Sequence, residues 1–322
     1  MTELTAARRR RMLPTTAVAV VALALSACGG DEPDGGSATT SDAAGQELAV
    51  STQYGDVTVP ADPERVVTLA ESALDVALSV GVTPVGTTAS RGGDKAPAYL
   101  GEDAAEIPVV ATVAEPNLEA ILEADPDVIL AAQGLEQEQY DALTAIAPTV
   151  VPEVPGRGDW EAPLHTYAEA LGADDELTEQ LDAIADRAAA LKDDGALEGS
   201  AAVVRWMANG PVLMNSGHMP GSLLAAAGAT SLKAADDLGQ RPHSDPLSLE
   251  NLDQVDADRL FLAAFGADGG SALEAAGTQP AFTRLKAVAA GTATEVDGSV
   301  WSSASGPVAA DLVMDDIEAA VS

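Results

Sequence analysis

Only one cysteine, Cys28, occurs among the 322 residues. No internal disulfide is available, so the folded part must depend on packing. Basic residues are also scarce: 16 Lys and Arg stand against 51 Asp and Glu, for a formal net charge of −35. So acidic a surface repels nucleic acid and anionic headgroups, which argues against both as partners. Aromatic residues make up 3% of the chain, so each tryptophan is informative. His165, His218 and His243, the three histidines, lie far apart and follow no metal-ligand spacing, so direct chelation of a bare metal ion is not expected. The chain also has no phosphate-binding Gly-rich loop with its lysine, no His-Glu-x-x-His and no Gly-x-Ser-x-Gly elbow. A hydrolase built on Ser216 or Ser222 with His218 therefore has no motif behind it, and neither an enzyme nor a resident cofactor is expected.

Long apolar runs are missing as well. The N-terminal one, from Thr16 to Leu25, is shorter than the roughly 20 residues a membrane-spanning helix needs. It follows a basic cluster, Arg8 to Arg11, and ends in Leu25-Ser26-Ala27-Cys28. Basic start, short apolar core and small residues before a cut describe a secretory signal over residues 1–27. Leu-Ser-Ala-Cys resembles the bacterial lipobox, in which the cysteine is acylated and becomes the first residue. Lipidation of Cys28 also accounts for an otherwise odd cysteine. The expected location is extracytoplasmic, lipid-anchored to the outer face of the cell membrane. Arg9-Arg10-Arg11-Met12-Leu13 loosely fits a twin-arginine signal, so the export route stays open. Removing residues 1–27, with four arginines and one glutamate, takes the net charge from −35 to −38.

Residues 28–46 are mostly Gly, Ser, Thr, Asp and Ala without apolar period, the composition of a flexible tether. Leu48 to Val59 alternates around Tyr54-Gly55-Asp56 and predicts a hairpin. Short apolar runs then alternate with helical stretches: strands at Arg65–Leu69, Pro108–Ala111 and Val128–Ala131, with a helix over Ala73–Val80. That alternation predicts an α/β lobe with a largely parallel sheet flanked by helices, spanning 47–163. Residues 164–194 carry a helical pattern with one break near Gly172 and read as a long connector. A second α/β lobe, 195–322, begins with a strand at Ala201–Val204. The two halves echo each other. Leu118-Glu119 through Asp125-Pro126-Asp127 and Leu249-Glu250 through Asp256-Ala257-Asp258 share one pattern at a constant offset of 131 residues, Glu119 against Glu250.

The chain resembles the substrate-binding lipoproteins of iron–siderophore ABC importers, the group with a rigid helical connector. The matching stretches are Asp62-Pro63-Glu64-Arg65-Val66-Val67, Gly81-Val82-Thr83-Pro84-Val85-Gly86, Glu115-Pro116-Asn117-Leu118-Glu119, Asp125-Pro126-Asp127-Val128-Ile129, Ile146-Ala147-Pro148-Thr149-Val150, Ser248-Leu249-Glu250-Asn251-Leu252 and Trp301 with Gly306-Pro307. The resemblance implies a monomer whose two lobes enclose a ferric siderophore for handover to a permease and its ATPase, with the iron carried inside the cargo. Haem or cobalamin is the alternative cargo within this fold. Hydroxamate siderophores suit the chain better than catecholates, because a ferric tris-catecholate is strongly anionic and arginines here are few.

Candidate ligand contacts follow from the strand ends. Arg205, at the end of the Ala201–Val204 strand, is expected to point into the cleft, and the resemblance places Arg91 there too; guanidinium forks hold anionic oxygens bidentately. Trp206 and Trp301 are expected to stack on ligand from strand ends, and Ser303 stands where relatives carry a tyrosine. Trp160 is open between packing and cleft wall. His218, Arg241 and His243 lie in loops within reach of a ligand, and His165 is expected to pack in the connector. Arg65, Arg187, Arg259 and Arg284 read as structural or solvated. Glu119 and Glu250 suit the helix dipole, and by resemblance they dock the two lobes on permease arginines.

Overall fold

The computed structural model describes residues 46–322 apart from 113, 114 and 157. The expected signal segment, Cys28 and nearly all of the tether lie outside the described residues. The described chain opens with an antiparallel hairpin, β1 (Glu47–Thr52) and β2 (Gly55–Pro60).

Five short parallel strands follow: β3 (Val66–Thr68), β4 (Gly86–Thr88), β5 (Val109–Ala111), β6 (Val128–Leu130) and β7 (Thr149–Val150), in the spatial order β5-β4-β3-β6-β7. Val66-Val67-Thr68 and Val128-Ile129-Leu130 are buried throughout, as expected of parallel strands covered on both faces. The second sheet holds β8 (Ser200–Met207), β10 (Thr230–Ser231), β11 (Arg259–Ala264) and β12 (Ala293–Asp297) in parallel order β10-β8-β11-β12, with β9 (Gly210–Leu213) antiparallel to β8. Both sheets are α/β units flanked by helices, as the alternation predicted.

The internal echo has a structural counterpart. Asp127, at the foot of β6, accepts the backbone N–H of Glu64 at 2.8 Å and of Arg65 at 3.1 Å, just before β3. Its equivalent, Asp258, accepts the Ser200 N–H at 2.8 Å where β8 begins. In each sheet the second aspartate of Asp-x-Asp therefore pins the start of the neighbouring central strand. The halves differ just before it: Leu118–Glu123 is α-helical, whereas Leu249–Val255 is a 3₁₀ segment interrupted at Asn251.

The helical stretch resolves into two helices, Ala162–Ala170 and Asp174–Asp193. Gly172 separates them at φ +67°, and a Cβ there would lie 2.9 Å from the Ala61 carbonyl oxygen. The first helix packs Leu164, Tyr167 and Ala168 with Val50 and Val59 of the hairpin. The second serves both halves: Leu177 and Leu181 join the N-terminal core, while Ile184 and Ala188 join the C-terminal one. Each of the two leucines and the isoleucine contributes about 1.5–3 kcal/mol on burial, the alanine less. The C-terminal helix, Pro307–Val321, completes that second core through Ala309, Ala310, Val313, Met314 and Ile317. Arg187 of the connector helix ties it down, donating to Glu318 at 2.8 Å and Asp315 at 2.6 Å. Among the described residues, no helix is long and apolar enough to cross a membrane.

Candidate functional site

In open parallel sheets the space beyond the carboxyl ends of the strands is left free for ligand. Here both sheets contribute such ends to one cleft of about 540 Å³. The N-terminal side supplies Leu69 to Ser72 after β3, Thr88 and Arg91 after β4, and Ala132 and Gln133 after β6. Arg205 of β8, Asn215 and Gly217 to Pro220 after β9, and Trp301 to Ser305 after β12 face them from the other. That volume suits a small-molecule ligand.

Arg205 is the least satisfied group in it. Its guanidinium carbon lies 4.2 Å from the centroid of the Phe265 ring, and its Nε is buried without a hydrogen-bond partner among the described residues. Desolvation, and then repulsion from Arg91, lower its pKa. In a chain of net charge −35, two arginines that repel each other line one cleft, with Glu71 beside Arg91 as a partial counter-charge. Arg91 is exposed, and its backbone N–H donates to Glu71 Oε1 at 2.7 Å. Burial raises the Glu71 pKa, against the pull of that hydrogen bond and of the Arg91 charge. Ser303 Oγ is a second buried polar atom without a partner among the described residues.

His218 and His243 also line the cleft. Desolvation lowers the pKa of His218, and His243 adds repulsion. His218 nevertheless keeps exposed surface, so it stays reachable by ligand. His243 is fixed by a 2.7 Å contact between Nδ1 and the Ser244 carbonyl oxygen. Among the described residues, no group of three or more His, Cys, Asp and Glu is arranged to hold a metal ion.

Three expected ligand contacts need correction. Trp206 is 2% exposed and meets Phe282 edge-to-face at 5.5 Å, in the core on the far side of the second sheet. The strand runs on to Met207, so period two sends Arg205 and Trp206 to opposite faces. Arg241 points to solvent and sits 3.6 Å from Asp245, while its neighbours Gln240 and Pro242 line the cleft. The reason is local: Asn215 Nδ2 donates to the carbonyl oxygens of Gly239 and Arg241, which turns the backbone inward and the arginine side chain outward. Trp301 does reach the cleft lining, but it is 1% exposed, stacked on Phe261 at 4.5 Å, and its Nε1 donates to Asp316 at 2.7 Å. It forms floor, with little face left for stacking a ligand.

Trp160 both packs and lines: it is half-buried, touches both halves' cores and forms part of the cleft wall. His165 lies outside the cleft, 2.6 Å from Asp174. Arg65 donates from Nε to the Asp125 carbonyl oxygen at 2.7 Å, and Arg259 to that of Ala320 at 3.1 Å, so both are structural. Glu119 and Glu250 are exposed and take no part in the cleft. Sequence reasoning missed Glu71, Gln133 and Asn215; the strand-end rule that found Arg205 applied equally to Glu71, three residues beyond β3.

The sequence profile of the periplasmic binding protein family Peripla_BP_2 matches residues 66–298, which covers both sheets. The chain belongs to this family. A Bacillus subtilis relative of this periplasmic binding protein, named probable siderophore-binding lipoprotein YfiY, is 31% identical over 307 residues, 92% of this chain and 93% of the relative. The Fe(3+)-citrate-binding protein YfmC of the same organism is 29% identical over 288 residues, covering 87% of each chain. Among solved structures, Staphylococcus aureus SirA complexed with staphyloferrin B superimposes with a TM-score of 0.73 at 25% identity, covering 84% of this chain and 97% of SirA. Members of the family are substrate-binding components of transport systems.

Proposed function

We propose that this protein captures a ferric siderophore in the cleft between its two sheets and delivers it to an ABC permease driven by an ATPase. One observation carries the reading: Arg205, desolvated, repelled by Arg91 and without a partner at Nε among the described residues, is a cation waiting for an anionic oxygen. The relatives named for siderophore and ferric citrate support the same class. Glu71 and Asp159 share the cleft with the two arginines, so a cargo of low net charge fits better than a strongly anionic one; the hydroxamate type is favoured over the catecholate. Titration of tryptophan fluorescence with ferric hydroxamate, ferric catecholate, ferric citrate, haem and cobalamin tests this, with Trp160 as the cleft reporter. Saturable quenching by haem or cobalamin alone would overturn it.

The reading includes a lipid anchor at Cys28 after removal of residues 1–27. Cys28→Ser is expected to move the protein from the membrane to the soluble fraction or to leave it unprocessed. Palmitate labelling equal to wild type would refute the anchor.

Glu119 and Glu250 are assigned to the permease contact. Both are exposed in the free protein and so available to a partner; a charge pair lost there costs roughly 0.2–1 kcal/mol at an interface rim and about 2–5 kcal/mol if buried, with repulsion added on reversal. The double variant Glu119→Lys, Glu250→Lys is expected to keep wild-type cargo affinity while cellular iron uptake falls several-fold, each single reversal giving a partial defect. Normal uptake by the folded double variant would remove these residues from the interface.

A further inference from the structure

Among the described residues, Asp75 is the one fully buried carboxylate of the N-terminal half, and the cleft does not use it. It lies in the helix Glu71–Ser79, one turn beyond Glu71, and has no solvent exposure. Its partners come from elsewhere in the chain. Oδ1 accepts the backbone N–H of Val308 at 2.9 Å, and Oδ2 accepts that of Ala309 at 3.1 Å and the Tyr99 hydroxyl at 3.0 Å. Val308 and Ala309 form the first turn of the C-terminal helix, whose N–H groups have no partner within the helix. That helix belongs to the core of the second sheet, and Tyr99 packs against the same core from the N-terminal half. One side chain thus caps a helix more than 200 residues away in sequence.

Gly306 shows how close the approach is. It is the residue before the helix, and its backbone is fully extended, which any residue adopts. A Cβ there would nonetheless fall 2.2 Å from the Asp75 carboxyl carbon. Glycine is therefore required by the aspartate and not by its own dihedrals. Immediately before it, Ser302 to Ser305 form the cleft wall that carries the Ser303 hydroxyl, which has no partner among the described residues.

We propose that Asp75 is a positioning residue for the cleft: its carboxylate clamps the first turn of the C-terminal helix to the N-terminal sheet and so holds the Ser302–Ser305 wall in register with Arg91 and Arg205. This role rests on the cleft being the cargo site, whereas the clamp itself is tested without cargo. The groups facing Asp75 are the two helix N–H donors and Tyr99, with Glu71 one turn back on its own helix. Burial pushes the Asp75 pKa up to about 6 against the downward pull of its three donors, and Tyr99 is raised well above its usual range by burial and by Asp75. The sign follows by linkage. A carboxyl whose pKa is higher in the clamped state than in water favours the clamp when protonated, so the clamp is fullest in acid and weakens as pH rises through about 6.

The test is amide hydrogen exchange on the unliganded protein, comparing residues 302–309 with the connector helix, after correction for intrinsic rates. In Asp75→Ala and in Gly306→Ala, exchange of the 307–309 segment is expected to rise roughly tenfold, the usual effect of losing a helix cap, while the connector helix keeps its protection. Wild type is expected to protect this segment more at pH 5 than at pH 7.5. Asp75→Ala removes that difference, and Asp75→Asn, with one acceptor and no charge, restores part of the protection without a pH step. Wild-type protection in both variants, a pH-independent segment in wild type, or equal loss across the connector helix would each overturn the proposal. Should Asp75→Ala not fold, Gly306→Ala and the wild-type pH comparison decide it.

Discussion

Trp301→Ala is expected to lower stability by about 3–5 kcal/mol, the usual cost of emptying a buried aromatic site. In a chain of this size that corresponds to a fall in melting temperature on the order of 10 °C. The indole is 1% exposed, stacked on Phe261 at 4.5 Å, and donates to Asp316 at 2.7 Å. The variant therefore loses packing, a ring pair and a hydrogen bond at once, and leaves Asp316 without that donor. Phe261 lies in the central strand β11 and Asp316 in the C-terminal helix, so the loss falls on the junction that holds the second core together. Trp301→Phe keeps the stacking and is expected to recover more than half of the loss. Thermal unfolding measures both. Unchanged stability of Trp301→Ala, with loss of ligand quenching, would return Trp301 to the role of a stacking contact.

Arg205→Met is the second large effect, and it separates binding from folding. Cargo affinity is expected to fall by about 1.5–3 kcal/mol, the range for a hydrogen bond to a charged group, or roughly 10- to 150-fold. Stability of the unliganded protein is expected to stay the same or rise. Desolvation and Arg91 both work against the guanidinium charge, and its Nε has no partner among the described residues, so the empty cleft gains little from it. Methionine removes the charge and keeps an unbranched apolar side chain, giving up only the guanidinium contact with the Phe265 ring. Titration with the cargo identified by the panel, together with unliganded thermal unfolding, reads both quantities. Retained affinity, or a large loss of unliganded stability, would mark Arg205 as structural.

How far the site was legible in the sequence depended on the residue. Arg205 was found because a strand's carboxyl end in a parallel sheet points at the ligand space. Trp206 was misplaced by the same rule: the strand continues to Met207, and a one-residue difference in facing carries the side chain to the other surface of the sheet. Arg241 was misplaced because Asn215, 26 residues earlier, controls its backbone through a side-chain hydrogen bond. Asp75 had no signal at all. In sequence it is one acidic residue on an apolar helix, and only its partners at Val308 and Ala309 give it a role.

By itself, the sequence determined what short-range chemistry controls. Periodicity set the strands and helices, buried β-branched runs marked parallel strands, the repeat at offset 131 announced two related halves, and the scarcity of arginine made Arg205 conspicuous. The tertiary structure alone decided which face each strand residue presents, that the connector helix buries one end in each core, and that Asp75 crosses from one half to cap a helix of the other. The division has a physical reason. Secondary structure follows from contacts a few residues apart, whereas a cleft is assembled from loops brought together by packing, and no local pattern encodes the distance between residue 75 and residue 308.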